Sequence, residues 1–589
     1  MKKRLLVGAV AGVSALALIL TGCGGSGTGA QSTDGASGGD TPVKGGTVTW
    51  LDIASQFTST DPVGVYLGEE IAGLRRLTYR GLTAMTISKS PNAKVVPDLA
   101  ADTGKTKDAG KTWTFTLKKG PKWQDGSPIT CADFQYGLSR SFDANLSGPP
   151  GGVGTTYMAQ YGLYDPADPS FDLATKYTGP SSSDAEAQKH FDAAASCDGD
   201  TITYHFQNAW PDFPTAAAAL FTTDPYQKSF DKGVQSLWTI NSNGPYMLQG
   251  GTAFDPAKGG TFVRNTNYDA GTDSKDVRGA YPDKVNLEIA ADQETVTERL
   301  IADASADQTA FTPGNTPSSK YSEITPDLSS RVVQSTSPYT RFIEINYLTV
   351  TDKDVRRALQ LATNKTGVIT ALGGDKYGTP TSTIVSSAIT GYQPNPSTKD
   401  DKAGGDAAAA KKLLNGKTPA IRFAFSDTAS WQKVAAVLQQ SWSEAGFQVT
   451  LVPIPTNAKP GYYAQVLQKD KPIDAFMGGW ASDWPSLFGV VPPILKSNPA
   501  DATSGVGFNY GFYSNADVDK DIAAAVSSTD PATQTSKLLE ADKKAAADGA
   551  YIPLLNQKNY FIHGSKLGGF LPDAASSYYP DLGGMFVKK

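Results

Sequence analysis

Histidine and cysteine are nearly missing from this chain, with three of each in 589 residues. His190, His205 and His563 lie far apart, and neither His-Glu-x-x-His nor Cys-x-x-Cys occurs. The side chains that zinc and thiol enzymes need at short spacing are therefore not available, and no metal is expected. An excess of positive charge is lacking as well. The formal net charge of −5 gives no whole-molecule field for a phosphate backbone and argues against a nucleic-acid partner. Long apolar runs are confined to the amino terminus, so no later stretch is long enough to span a bilayer. What is present can fold: 39% hydrophobic and 19% charged residues build a packed core, and the length predicts several domains. With 59 Gly, 37 Pro, 25 Tyr and 9 Trp, the usage is that of a loop-rich exported protein able to present aromatic rings to a ligand.

The first residues set the compartment. Lys2-Lys3-Arg4 precedes an apolar run from Leu5 to Leu20, the pattern of a secretion signal over residues 1–22. The run ends in Leu20-Thr21-Gly22-Cys23, which resembles the bacterial lipobox, where the signal is cleaved before the Cys and diacylglycerol is thioether-linked to it. The alternative, a transmembrane anchor, fits less well because the run is short and is interrupted by Gly8 and Gly12. Residues 23–44 are Gly, Ser, Thr and Asp with almost nothing to bury, a flexible tether reaching roughly 25 Å. Cys131 and Cys197 are then the remaining thiols, and an even pair in an oxidising compartment favours a Cys131–Cys197 disulfide. Two unrelated buried thiols are the alternative.

Along the body, Thr112 to Leu117 and Thr201 to Phe206 alternate polar and apolar residues and predict half-buried strands, with His205 on a polar phase. Gly45 to Trp50 reads as a turn feeding a first strand. Trp431, Val434, Leu438, Trp442 and Ala445 recur at helical spacing before Gly446, a helix whose Trp stripe is read as core packing. Asp354 to Leu361 and Asp406 to Leu414 predict further helices. Val449 to Pro453, Ile421 to Phe425, Ile473 to Met477 and Tyr551 to Leu555 predict strands. The second half is α/β, and the first is richer in strands and Gly/Pro loops.

Several blocks appear in one order. They are Gly45-Gly46-Thr47-Val48 with Thr60-Asp61-Pro62, Val96-Pro97-Asp98-Leu99-Ala100, the stretch from Thr112 to Thr130 with Trp123-Gln124-Asp125-Gly126, and Asp133-Phe134. Asn243-Gly244-Pro245-Tyr246, Arg264-Asn265-Thr266-Asn267-Tyr268, Val355-Arg356-Arg357-Ala358-Leu359 and Trp480-Ala481-Ser482-Asp483-Trp484-Pro485 follow. Together they resemble the oligopeptide/dipeptide-binding family, family 5, of the extracytoplasmic solute-binding proteins that serve ABC importers. The resemblance implies an α/β, two-lobe periplasmic-binding-protein-like fold of the large type II, with an extra subdomain in the first lobe. The implied division is a first lobe over 45–286 with a subdomain over about 66–200, a second lobe over 287–548, and a return to the first over 549–589. It also implies a monomer that uses no cofactor, is leashed through Cys23 to the outer face of the cytoplasmic membrane, and closes around a peptide. An ABC permease and its ATPase are the implied partners.

Within the resemblance, Asp483 matches the Asp that pairs with a peptide's α-ammonium, a charge-assisted contact indifferent to side chains. Trp480 and Trp484 are the candidate pocket walls and Tyr157 a candidate pocket tyrosine. The alternatives are a loop-bracing Asp483, core tryptophans, and a non-peptide solute such as an oligosaccharide or metal chelate. An exported hydrolase is the other class, but Ser229, Ser430 and Lys365 fall in the wrong order and context for acyl-serine chemistry, and no catalytic residue is expected.

Overall fold

The alternating segments form strands because only one of their faces meets a core. Thr112–Thr116 pairs antiparallel with Thr201–His205, which also pairs with Ala195–Asp198. The computed structural model describes residues 41–65, 67–88, 93–146, 161–498 and 508–589; the expected signal, Cys23, most of the tether and Tyr157 lie outside the described residues. Thr130 caps the helix Cys131–Arg140 in a reciprocal capping box with Asp133. Cys131, at the head of this helix, is bonded to Cys197 of the neighbouring strand, with Cα atoms 5.9 Å apart.

The first lobe is organised on the strand Thr47–Ile53, which runs parallel to both Lys284–Ala290 and Ala310–Phe311. Gly260–Arg264 and Tyr246–Leu248 extend the sheet antiparallel. Lys284 through Ala290 pairs without interruption along Thr47–Ile53. Helix Gly68–Leu77 packs Leu74 and Leu77 against Val48 and Trp50. Gly73 permits this approach, since a Cβ there would lie 2.1 Å from the Trp50 ring. The loops that carried the family blocks are tied by buried charge. Asp61 takes Arg140 in two bonds of 2.6 and 2.8 Å, and Asp98 takes Arg80 at 2.7 Å and Arg278 at 2.8 Å. Burial alone would raise Asp98, but Arg278 and Arg80 hold its pKa well below the usual carboxylate range.

The second lobe holds a six-stranded sheet in the order Gly378–Pro380, Tyr551–Ile562, Val332–Ile345, Ala475–Ala481, Ala420–Ser426, Gln448–Ile454. The last three run parallel and the rest antiparallel. The strand expected from Ile473 starts at Ala475 and continues to Ala481, because Asp474 is drawn aside to Arg422 at 2.7 Å. Helix Ala429–Glu444 begins at Thr428, whose hydroxyl accepts from the Trp431 amide, and is followed by Gly446 at φ +102°. Its Trp stripe divides. Trp442 is fully buried and donates to Thr363 Oγ1 at 2.9 Å, whereas Trp431, in the first turn at the sheet's end, stays half-buried.

Two strands serve both lobes. Val332–Ile345 and Tyr551–Ile562 pair from Val332↔Ile562 to Thr336↔Lys558, lose register, and resume from Thr340↔Asn556 to Glu344↔Tyr551. Phe561 and Ile562 pack into the first lobe with Trp50 and Leu51. Ile343, Ile552 and Leu555 pack into the second with Leu359 and Phe423. Another cluster joins the Trp113/Phe115/Phe213 subdomain to Trp484, Leu487 and Leu538. Among the described residues no helix is long and apolar enough to cross a membrane, and no three His, Cys, Asp or Glu side chains are grouped to hold a metal.

Candidate functional site

The Trp480–Pro485 segment leaves the sheet at the end of the strand Ala475–Ala481, where Thr340 pairs with Trp480 and Arg341 with Gly479. This places it beside the register break. Trp480 is partly buried, meets the Phe508 ring at 3.8 Å with the planes tilted by 40°, and donates its indole N–H to the Gly489 carbonyl at 2.7 Å. Ser482 turns the chain back by donating to the Trp484 carbonyl, and Asp483 is half-buried at the apex. Trp484 does not line an open surface: it is fully buried, 5.9 Å from the Trp210 ring, and its Nε1 donates to Asp212 Oδ2 at 2.6 Å. Asp212 immediately precedes the helix Phe213–Ala219, so the loop after Ala475–Ala481 is seated against the start of that helix.

The charges around this junction have physical causes. Burial raises the Asp212 carboxyl above its ordinary pKa, opposed by bonds from Ser486 and Trp484, and its Oδ1 has no hydrogen-bond partner among the described residues. Glu344 is pushed up to about 8 by burial, with Lys471 nearby as the opposing influence. Lys471 is itself lowered to about 8 by burial. At the break in register, the guanidinium of Arg341 lies 4.2 Å from the Tyr339 ring and 5.1 Å from that of Trp431. From the first lobe, Tyr579 bonds to Glu69 and electrostatically faces Tyr339. Its ring rests on Gly68, where a Cβ would come within 2.6 Å.

The structure thus brings Trp480, Asp483 and Trp484 to one junction, while Cys131 and Cys197 form a separate brace in the subdomain. Sequence reasoning did not single out Asp212, Tyr339 or Arg341. Asp212 reads locally as a helix-start residue, and its partner lies 272 positions away. Arg341 left one signal: a cation beside the apolar run Phe342-Ile343 in a strand that enters a core.

Comparison with known proteins agrees with this architecture. The sequence model of the bacterial extracellular solute-binding proteins, family 5, matches residues 94–502. A glutathione-binding protein, GsiB, of Salmonella choleraesuis is 25% identical over 546 residues, covering 89% of this chain and 92% of that protein. The solved structure of clavulanic acid biosynthesis oligopeptide binding protein 2 superposes with a TM-score of 0.79 at 23% identity, over 93% of this chain and 96% of that one. The Helicobacter pylori periplasmic binding protein DppA, in complex with the peptide STSA, superposes with a TM-score of 0.68 at 16% identity, over 93% and 99%. At these identities the solved structures speak for the two-lobe fold.

Proposed function

Because the chain belongs to family 5 of the bacterial extracellular solute-binding proteins, we propose that it captures a short peptide between its lobes and delivers it, unaltered, to an ABC permease and its ATPase. The observation that carries this reading is the seat of the Trp480–Trp484 segment. It sits at the sheet end beside the register break and reaches across the junction to Asp212. Closure around cargo then amounts to a shift toward the conformation that ligand prefers. Asp483 is the proposed reader of the ligand ammonium and Trp480 the adjoining wall; Trp484 contributes by docking in the opposite lobe. We place the passage between lobes at the break between Thr336 and Thr340 rather than at 287, because Lys284–Ala290 belongs to one ladder with Thr47–Ile53. Lipid attachment at Cys23 belongs to the same proposal and rests on the lipobox alone. Labelled palmitate should mark the wild type and not Cys23→Ser.

Relatives named for glutathione support a small peptide with a free amine as the ligand class, since glutathione is itself a tripeptide. Mass spectrometry of ligand released from gently purified protein should recover peptides. An oligosaccharide or a metal chelate in their place would refute the peptide assignment while leaving the receptor role. By calorimetry, Asp483→Asn should weaken binding of a recovered peptide by an order of magnitude or more; unchanged affinity would remove Asp483 from the site.

A further inference from the structure

Near the carboxyl end, one turn carries two unusual backbone positions. Ser577 and Tyr578 stand side by side at φ +52° and +64°, a left-handed conformation uncommon outside Gly, Asn and Asp and exceptional for a bulky ring. The groups that hold it there are specific. Asp573 Oδ1 accepts the amides of Ala575 and Ser576 at 3.1 and 3.2 Å, and the Asp573 carbonyl accepts the amide of Tyr578 at 2.6 Å. Pro572 bridges to Pro580 at the mouth of the turn, and Asp581 pairs with buried Arg76 of the helix Gly68–Leu77 at 2.7 Å. Asp573 Oδ2 takes the Ser88 amide at 2.9 Å, and Tyr579 bonds to Glu69. The turn is thus rooted on the helix that packs against the first-lobe sheet.

Tyr578 itself reaches the other way. Its ring is buried with Ala388 and Ala574, its carbonyl accepts from Asn559 Nδ2 at 2.8 Å, and its hydroxyl donates to the Ala388 carbonyl. Ala388 lies in the loop that follows the edge strand Gly378–Pro380. This loop is rooted on the helix Pro531–Asp548, where Asp542 accepts from Thr383 at 2.7 Å and from Asn395 at 2.8 Å. It also grips the break in register. Ser386 Oγ donates to the carbonyl of Ser337, inside the break, at 2.6 Å and accepts the Ala388 amide at 3.1 Å. The Ser387 amide reaches Asn556 Oδ1 at 3.4 Å, and Asn556 donates to Thr340 Oγ1 at 2.9 Å, where pairing of the two long strands resumes.

A backbone held in a sparsely populated region persists only where its surroundings over-determine it, and such positions gather at clamps and switches. We propose that Tyr578 is a positioning residue for cargo retention: its hydroxyl fastens the turn Asp573–Tyr579 to the loop that grips the register break, and so braces the passage between the lobes. One end of this bond is fixed to the first-lobe helix and the other to the break. A hydrogen bond weakens steeply once distance or direction departs from a narrow range, so a change of angle at the break costs the bond. The brace therefore favours the arrangement in which Trp484 reaches Asp212 over an opened one. Its effect on cargo rests on the receptor reading, whereas its effect on the break does not.

The test pairs two measurements on the full-length protein. Hydrogen exchange read by mass spectrometry needs no ligand. Tyr578→Phe, which keeps the ring and removes the hydroxyl, should speed exchange about fivefold or more in residues 335–340 and 555–559, and should leave the far edge strand Gln448–Ile454 as in the wild type. Stopped-flow kinetics with glutathione and Ala-Ala-Ala as probes should show release quickened by a similar factor and association unchanged. Ser386→Ala, which loosens the same loop from the break, should reproduce both effects, and the double variant should add little to either. The brace is refuted if exchange at the break stays at the wild-type rate, if it rises equally in Gln448–Ile454, or if bound probes leave the variants no faster. If the break loosens as expected but the wild type binds neither probe, the brace stands and the peptide reading fails on its own. Should Tyr578→Phe lose the wild-type circular dichroism, Ser386→Ala decides alone.

Discussion

Trp484 donates its indole N–H to Asp212 across 2.6 Å, linking residues that stand 272 positions apart in the chain. The bond is part-buried, and no cation is among the influences on the Asp212 carboxyl from the described residues, so its loss is felt by the joined arrangement more than by the elements on either side. Trp484→Phe retains the ring and removes the N–H. It should weaken ligand binding by about 5–30-fold, corresponding to about 1–2 kcal/mol, and should enlarge the unliganded protein in small-angle scattering. Unchanged affinity together with unchanged dimensions would count against a closing role.

Asp61, Arg140 and Asp231 make a second testable group. Arg140 Nη1 and Nη2 bond both oxygens of Asp61, and its Nε reaches Asp231 at 2.7 Å. Asp61→Asn leaves buried Arg140 with Asp231 as its remaining carboxylate partner, so it should cost about 1–3 kcal/mol in denaturant unfolding. The double variant Asp61→Asn, Arg140→Met should cost less than the sum of its parts, because the two single changes remove one shared interaction. Strict additivity would show that the pair is not coupled.

His563 sets a pH dependence whose sign follows from its burial. Its Nδ1 is 2.9 Å from the Gly564 carbonyl, and burial lowers its pKa from 6.5 to about 4. The unfolded chain therefore takes up a proton between pH 6.5 and 4 that the folded protein refuses. The stabilisation is complete above 6.5 and is lost as pH falls through 4. His563→Gln should remove up to about 3 kcal/mol of that acid dependence, read as the difference between wild-type and variant denaturation midpoints across this window. Parallel pH curves would exclude the histidine as their source.

The Cys131–Cys197 bond spans 66 residues. Loop closure of that size predicts a loss of about 4 kcal/mol when both are changed to Ala, concentrated in the subdomain that the bond braces. Hydrogen exchange should rise in Thr112–Thr116 and Thr201–His205 before it rises in the second-lobe sheet. A uniform increase over the whole chain would contradict a local brace.

The elements themselves were legible because their causes are local. Alternation at Thr112–Thr116, helical spacing from Trp431 to Trp442, and Asp406 before Ala407–Leu414 each mark an element whose bounds move by only a few residues in the structure. The expected strand at Ile473 shifted because a tertiary ion pair, Arg422 with Asp474, overrode the apolar pattern. Trp431 departed from its stripe because, in the helix's first turn, it packs only partly on the second-lobe core and the Arg341 guanidinium lies 5.1 Å from its ring.

By itself the sequence determined the α/β character, the order of family blocks, the shortage of metal and thiol chemistry, and the position of the Trp480–Asp483 segment. All of these depend on residue types and on neighbours a few positions away. Only the tertiary structure decided that Trp484 is seated on Asp212, that two strands feed both lobes, and that Arg341 meets tyrosines rather than a carboxylate among the described residues. Periodicity fixes which face of an element is apolar. It carries no information about which distant charge that face will meet, since the partner is chosen by sheet order and lobe packing rather than by spacing along the chain.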